Sequence, residues 1–352
     1  MRTPLLPFGR PGAGDPLGRT RAWLKPESLQ PIGAFKLRGA YYNIATLSVE
    51  RRAAGVVAHS SGNHAQGVAR AARLLGVRAV IVMPSDAPRT KVERVLEDGA
   101  EIVFVGPSSE ERAERAAELA RAEGLSMVAP YDDAATIMGQ GTIGLEIVEQ
   151  LAEIDGGPPA ALMGSRSVSP TGRRGTSSKA APQASIGRPT ELKPFTVLVP
   201  VGGGGIASGV AVAVKSLRPD AFVIGVEPAL AADARDSLAR GQIVTWPAEV
   251  VGQTIADGQR TTHIGHIPFA LMRRYLDGIV TVTDDEIARA MVRASREARL
   301  VLEPSGATAL AAWLFHEAEL PATGRVVSIL TGGNVDPELY DELLARGVAA
   351  GG

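Results

Sequence analysis

The chain has 352 residues, 45% of them apolar, and a formal net charge of -1. It can bury a large core divided into about two domains, and its near-neutral balance excludes the basic excess expected of a nucleic-acid or membrane-surface binder. Cysteine is absent, which rules out disulfides and thiolate chemistry; no signal-like start and no apolar run near the ~18 residues of a membrane span is present, so a cytoplasmic protein is expected.

In chain order, residues 22–25 read as a short strand, and Pro26 and Pro31 bracket a loop leading to Gly33-Ala34-Phe35-Lys36-Leu37-Arg38-Gly39-Ala40. A helix follows, with Ala40, Tyr41, Ile44, Ala45 and Leu47 at helical spacing. Residues 55–59 form a strand-like run ending in Ser60-Ser61-Gly62-Asn63-His64. Ala65, Val68, Ala69, Ala72 and Leu75 mark the next helix, so this polar cluster sits at a strand end and a helix N-terminus. Strands at 77–82, 101–105 and near Met127 then alternate with helices at 88–98 and 108–123, and a further helix spans 139–152. Residues 155–193, rich in Gly, Pro, Ser, Ala and Arg, lack apolar periodicity and are expected to be a mobile, solvated surface insertion. Order returns with a strand at 196–201, the run Gly202-Gly203-Gly204-Gly205, a helix to Leu217 and a strand at 222–226. Residues 229–277 are less readable. A strand at 278–282, a helix at 284–299 capped by Asp284, Glu303-Pro304-Ser305-Gly306-Ala307 opening a helix to Phe315, and a strand at 326–330 ending in Thr331-Gly332-Gly333-Asn334 follow. Alternating strands and helices predict an α/β fold of two doubly wound open-sheet domains. The smaller domain (51–133) is inserted in the larger (1–50 and 134–352).

Three clusters carry chemistry. Four glycines between a strand and a helix let successive backbone N–H groups converge on one phosphate, with the helix dipole adding to them. The same run, read as Gly202-x-Gly204-x-x-Ala207 with Glu227 some twenty residues on, also fits a loose dinucleotide fingerprint. Ser60 to His64 offers hydroxyl, amide and imidazole groups beside free N–H donors, which suits a small carboxylate or a phenolic oxygen. Thr331 adds a hydroxyl at another strand end, where ligands of open α/β sheets collect. An isolated lysine is most often a solvated surface charge; Lys36 is set apart by these neighbours.

Together these features resemble the fold-type II pyridoxal-phosphate enzymes, and more closely the serine/threonine dehydratase and serine racemase family. The motifs that carry the likeness are 33–40, 60–66, 139–142, 202–205, 303–307 and 331–336. The resemblance implies a tryptophan synthase beta-like fold with pyridoxal 5'-phosphate as cofactor. By that likeness Lys36 forms the internal Schiff base, Phe35 lies against the ring and Asn63 bonds the 3'-oxygen. Gly202, Gly203, Gly204, Gly205 and Ile206 hold the phosphate, and Thr331 faces the pyridine nitrogen. Ser60, Ser61 and His64 lie where the family binds the substrate carboxylate. Ser61 also matches the acid or base that acts opposite the lysine in members that racemise serine. Glu227, the Ala231 carbonyl and Asp233 match the family's loop for a divalent ion, Mg2+ or Ca2+. The implied substrate is a small hydroxy amino acid, the implied assembly a homodimer or homotetramer, and neither nucleic acid nor membrane is a partner.

The implied reaction is dehydration of L-threonine or L-serine to a 2-oxo acid and ammonia by α,β-elimination, with serine racemisation and hydroxyaspartate dehydration as alternatives. The residues agree physically: a desolvated lysine is a nucleophile when neutral and is then placed to take the Cα proton, while a neutral hydroxyl on the ring nitrogen makes a weaker electron sink than an aspartate. Threonine at 331 replaces the serine usual in close relatives. No stretch after 336 is long enough for a regulatory domain, so a short, catabolic-type enzyme is expected. Two readings of other classes stand beside this one: an NAD-binding oxidoreductase using Gly202 to Ala207 with Glu227, and a non-catalytic binding protein on the same fold.

Overall fold

The computed structural model describes residues 1–9, 22–60, 62–106, 108–156 and 193–351. Most of the expected insertion (157–192) and Ser61 therefore lie outside the described residues.

Strands β1 (Leu6–Phe8) and β2 (Ala22–Pro26) lead into α1 (Lys36–Thr46) and α2 (Val49–Ala54). Next come β3 (Val56–His59), α3 (Asn63–Leu75), β4 (Ala79–Pro84), α4 (Arg89–Glu97), β5 (Glu101–Val105), α5 (Ser109–Glu123), β6 (Ser126–Met127) and α6 (Ala134–Ile154). The remainder is β7 (Thr196–Pro200), α7 (Gly205–Leu217), β8 (Phe222–Pro228), α8 (Asp233–Arg240), α9 (Ala248–Val251), α10 (His266–Tyr275), β9 (Gly278–Val282), α11 (Asp284–Arg293), α12 (Pro304–Phe315), β10 (Val326–Leu330) and α13 (Pro337–Ala349). The strands form two sheets, one in the order β1-β2-β10-β7-β8-β9 and one in the order β5-β4-β3-β6. Among the described strand pairs only β1–β2 is antiparallel. β2, β4, β7 and β10 are buried along their whole length, as strands covered by helices on both faces must be.

Each sheet reverses its strand order once. In the larger sheet the chain runs outward from β7 to β8 and β9 and then returns to place β10 between β2 and β7. In the smaller, β4 and β6 flank β3 on opposite sides. Such switch points open crevices at the strand C-termini. The residues just past β7, β10, β3 and β6 line a single cavity, so the two crevices face one another.

Local chemistry explains where the elements depart from the sequence expectation. β4 starts at Ala79 because Val77 is used to close α3: its N–H bonds Ala72 O while Gly76, at φ 64°, turns the chain left-handed. α6 starts five residues early because Asp133 caps it through the Thr136 N–H. α11 is capped by Thr283 in a reciprocal box with Glu286, not by Asp284. Asp284 instead accepts from Thr254 Oγ1 and Ile255 N, tying down the irregular segment before α10. The motif 139–142 is a packing device. A Cβ on Gly139 would lie 2.6 Å from Arg38 O, and one on Gly141 2.8 Å from Gly209 O, so α6 crosses α1 and α7 with backbones nearly touching.

A buried charge cluster anchors α1. Arg38 donates to both oxygens of Glu27 (2.6 and 2.9 Å) and both of Glu146 (2.7 and 2.9 Å). Fully buried Lys25 donates to Glu146 at 2.6 Å, Thr3 O at 2.7 Å and Gln150 at 2.9 Å. Burial alone would raise the Glu146 carboxyl, but the bonds from Arg38 and Lys25 outweigh it and hold the group low.

Candidate active site

The cavity between the sheets measures about 260 Å3. Lys36 opens α1, and its backbone is fixed on two sides. Phe35 N donates to Thr331 O at 3.0 Å and Ala34 bridges Gly332, which pins the helix start to the end of β10; on the other side Gly67 of α3 lies so close to Lys36 that a Cβ would meet its carbonyl carbon at 3.1 Å. The Lys36 side chain points into the cavity wall, where Nζ donates to Pro130 O at 2.9 Å and sits 5.2 Å from the Phe35 ring centre. Burial, with no compensating anion, pulls its amine from 10.5 down to about 8.

Opposite stands the glycine run. Gly204 takes φ 88°, which a β-carbon would strain, and this turn aims the first N–H groups of α7 into the cavity. Tyr131 covers the run: a Cβ on Gly203 would fall 2.4 Å from its ring, and one on Gly205 2.9 Å from its backbone. Ile206 closes the cradle from the first turn of α7.

Asn63 and Thr331 lie between these poles. The Asn63 amide donates to Glu303 at 2.8 Å and accepts from Asn334 at 2.7 Å, which leaves one N–H for the cavity. Thr331 is nearly fully buried, and its hydroxyl bonds Ser305 O at 3.1 Å while lining the cavity. Ser60 also lines the wall and accepts the Gly62 N–H at 3.1 Å. His64 donates from Nε2 to Val128 O at 2.8 Å, and burial together with the nearby Lys36 charge pulls its ring down to about 3. The imidazole is thus neutral at pH 7, with Nδ1 buried and without a partner. A carboxylate finds no donor on it, so the donors among the described residues of this loop are the Ser60 hydroxyl, the spare Asn63 N–H and backbone N–H groups.

Sequence reasoning assigned no role to Tyr131, Lys91, Asp257, Gln259, Glu303 or Ser305, all of which line the cavity. Glu303 and Ser305 fell within a recognised motif. The other four carry no local signal, because loops and a distant helix deliver them.

The loop expected to hold a divalent ion contributes none of Glu227, Ala231 and Asp233 to the cavity lining. Glu227 is fully buried, and its two oxygens accept the N–H groups of Ala234 (3.0 Å) and Arg235 (2.8 Å) at the start of α8. Both Asp233 oxygens are buried without a well-formed hydrogen bond. Burial pushes Glu227 up to about 8 and Asp233 up to about 7. Among the described residues no group of three or more His, Cys, Asp or Glu side chains could hold a metal, so a site here needs backbone oxygen or water to complete it. Glu227, held inside the fold by α8, is also withdrawn from any ribose, which removes the acid that a dinucleotide site requires.

A desolvated lysine facing a phosphate cradle across a cleft at two switch points defines an α/β enzyme site for a phosphorylated, carbonyl-bearing cofactor. The family described as pyridoxal-phosphate dependent enzymes matches residues 1–332, and the chain belongs to that family. It is 37% identical over 332 residues to an L-threonine ammonia-lyase of Thermotoga maritima, covering 94% of this chain and 71% of that protein. It is 36% identical over 331 residues to an L-threo-3-hydroxyaspartate ammonia-lyase of Saccharomyces cerevisiae, covering 94% and 88%. Among solved structures, maize serine racemase superposes with a TM-score of 0.79 at 33% identity, covering 99% of this chain and 93% of that one. The residues fit pyridoxal phosphate: a reactive amine, an anion cradle too tight for side chains, a spare amide N–H and a hydroxyl surround one cavity. No helix among the described residues is long and apolar enough to cross a membrane.

Proposed function

We propose that this chain is a pyridoxal-phosphate-dependent ammonia-lyase that converts L-threonine or L-serine to the 2-oxo acid and ammonia. The observation that carries the proposal is the desolvated Lys36 amine facing the glycine cradle, with the spare Asn63 N–H and the Thr331 hydroxyl between them. When bound, the cofactor supplies an aldehyde for the substrate amine and a ring that draws negative charge from Cα. Lys36 would hold it, and its neutral amine is placed to take the Cα proton. Gly202 to Ile206 would bind the phosphate, Asn63 would donate to the ring oxygen, and Phe35 would pack against the ring. Thr331 would face the ring nitrogen with a neutral hydroxyl, a weaker partner than a carboxylate, which suits an elimination. Ser60, Ser61 and the N–H groups at the start of α3 bind the substrate carboxylate, with His64 as a neutral wall. Loss of the β-hydroxyl as water, followed by hydrolysis of the resulting enamine, releases ammonia.

One further substrate and one further reaction are supported by relatives: 3-hydroxyaspartate by the yeast enzyme, and racemisation of serine, with Ser61 as the second acid or base, by the maize structure. We expect a cytoplasmic homodimer or homotetramer whose working units are 1–50 with 134–352, and 51–133. Helix α1 bridges them, since its apolar face lies in the core of the smaller sheet. Purified protein should be yellow and release oxo acid from L-threonine and L-serine. Protein that stays colourless with added cofactor sinks the proposal, and D-serine formation or a preference for 3-hydroxyaspartate redirects it to that reaction or substrate.

A divalent ion, Mg2+ or Ca2+, is proposed on Glu227, Asp233 and the Ala231 carbonyl, supported by the two unsatisfied Asp233 oxygens. Either ion at a hundredfold excess over its Kd should stabilise the fold by about 2.7 kcal/mol. Thermal unfolding with and without chelator measures this, and a response that survives in Asp233→Asn argues against the site.

A further inference from the structure

We infer that Glu303 is a positioning residue for the cofactor's ring oxygen: it fixes the Asn63 amide so that one N–H faces the cavity. The inference rests on the cofactor reading proposed above. Glu303 stands at the N-cap of α12, where a carboxylate ordinarily bonds the helix's own N–H groups, yet it makes no such bond. Its side chain crosses instead to the first residue of α3, where Asn63 Nδ2 donates to Oε1 at 2.8 Å. On the opposite flank Asn334 Nδ2 donates to Asn63 Oδ1 at 2.7 Å. Asn334 is itself oriented, donating to Ile32 O at 2.7 Å and accepting from Arg94 Nη1 at 2.8 Å. The Asn334 donor and the Glu303 oxygen together hold one orientation of the Asn63 amide, since a flip would set its nitrogen against that of Asn334 and break the N–H contact to Glu303. With Oδ1 taken, Asn63 can present the cavity only with a donor, which selects an oxygen acceptor there.

The surroundings leave room for this carboxyl and little else. Glu303 is 6% exposed, and a Cβ on Gly332 would lie 2.2 Å from Oε1. The groups facing it are the Asn63 amide from α3, Lys91 from α4, Asp257 from the loop before α10 and the Asn334 backbone N–H after β10. Burial and Asp257 raise the carboxyl to about 8, against the opposing pull of Asn63, Lys91 and Asn334. At pH 7 the group is mostly the neutral acid. As pH rises through about 8 it releases its proton to solvent, and the partner of Asn63 becomes a carboxylate, a stronger acceptor with a negative charge beside the ring oxygen.

The test is a titration of the holoenzyme's visible absorption from about pH 6 to 10 in wild type, Glu303→Gln and Glu303→Leu, with cofactor affinity measured alongside. Wild type should show a transition near pH 8. Glu303→Gln keeps a carbonyl for Asn63, so it should bind cofactor within about threefold of wild type but lose the transition, while Glu303→Leu should bind about tenfold more weakly. A transition that persists in Glu303→Gln, or unchanged affinity in Glu303→Leu, overturns the inference. Coloured wild type without a transition overturns it alone; wild type that takes up no colour overturns the cofactor reading and this inference with it.

Discussion

Lys36→Ala is expected to lower turnover of hydroxy amino acids by at least about 10³-fold and to abolish the visible band, while leaving the fold intact. Nothing in the core depends on the amine: its one hydrogen bond is to Pro130 O, and its ring neighbour is Phe35. What the fold does for Lys36 is electrostatic. Moving the amine from 10.5 to about 8 raises its neutral fraction at pH 7 roughly 300-fold over that of an ordinary lysine. The protonated amine is unreactive, so cofactor uptake by the apo-protein should accelerate about tenfold per pH unit up to roughly 8 and then level off. Stopped-flow absorbance measures that rate. A rate that kept climbing toward pH 10 would mean an ordinary, solvated lysine, and full activity in Lys36→Ala would mean that another lysine carries the chemistry.

Arg38→Met should cost about 3–5 kcal/mol, a large share of the ~5–15 kcal/mol that holds most domains folded. Arg38 and Lys25 balance Glu27 and Glu146, all four being largely buried. Removing the guanidinium leaves two carboxylates facing Lys25 alone, and methionine fills the volume without supplying a donor. The pH dependence has a definite sign. In the wild type Glu146 is depressed, so its contribution is present above its unfolded pKa and lost as pH falls through the lower folded one. In the variant that depression is largely gone, so the deficit should be greatest near neutrality and shrink on acidification. Urea unfolding at pH 7 and at about pH 3, below the ordinary carboxylate value, tests this. A deficit below about 1 kcal/mol at pH 7 would mean that water enters the cluster and screens it.

The two variants separate what the local sequence specifies from what assembly specifies. The strand and helix pattern was legible because period-2 and period-3.6 burial leave a mark on neighbouring residues: β3, α3, β5, β7, α7, β8, β9, α12 and β10 lie within a few residues of where the sequence puts them. Residues 229–277 were not legible, because α8, α9 and α10 are short and are set by distant partners such as Glu227, Asp284 and Asp132. α13 went unread as well, and the N-terminal β1 exists only through its pairing with β2.

At the site, the sequence alone determined which residue types stand at strand ends and helix starts: Lys36, Asn63, the four glycines and Thr331 each carry a local signature of turn, cap or small-residue run. Only the tertiary structure decided what those residues can do. The lysine's depressed pKa comes from burial between two sheets, the amide orientation of Asn63 from Glu303 and Asn334 some 240 and 270 positions away, and the neutrality of His64 from burial and the nearby Lys36 charge. Desolvation and hydrogen-bond geometry depend on what the fold brings alongside a residue, and the identity of that neighbour is not written next to it in the chain.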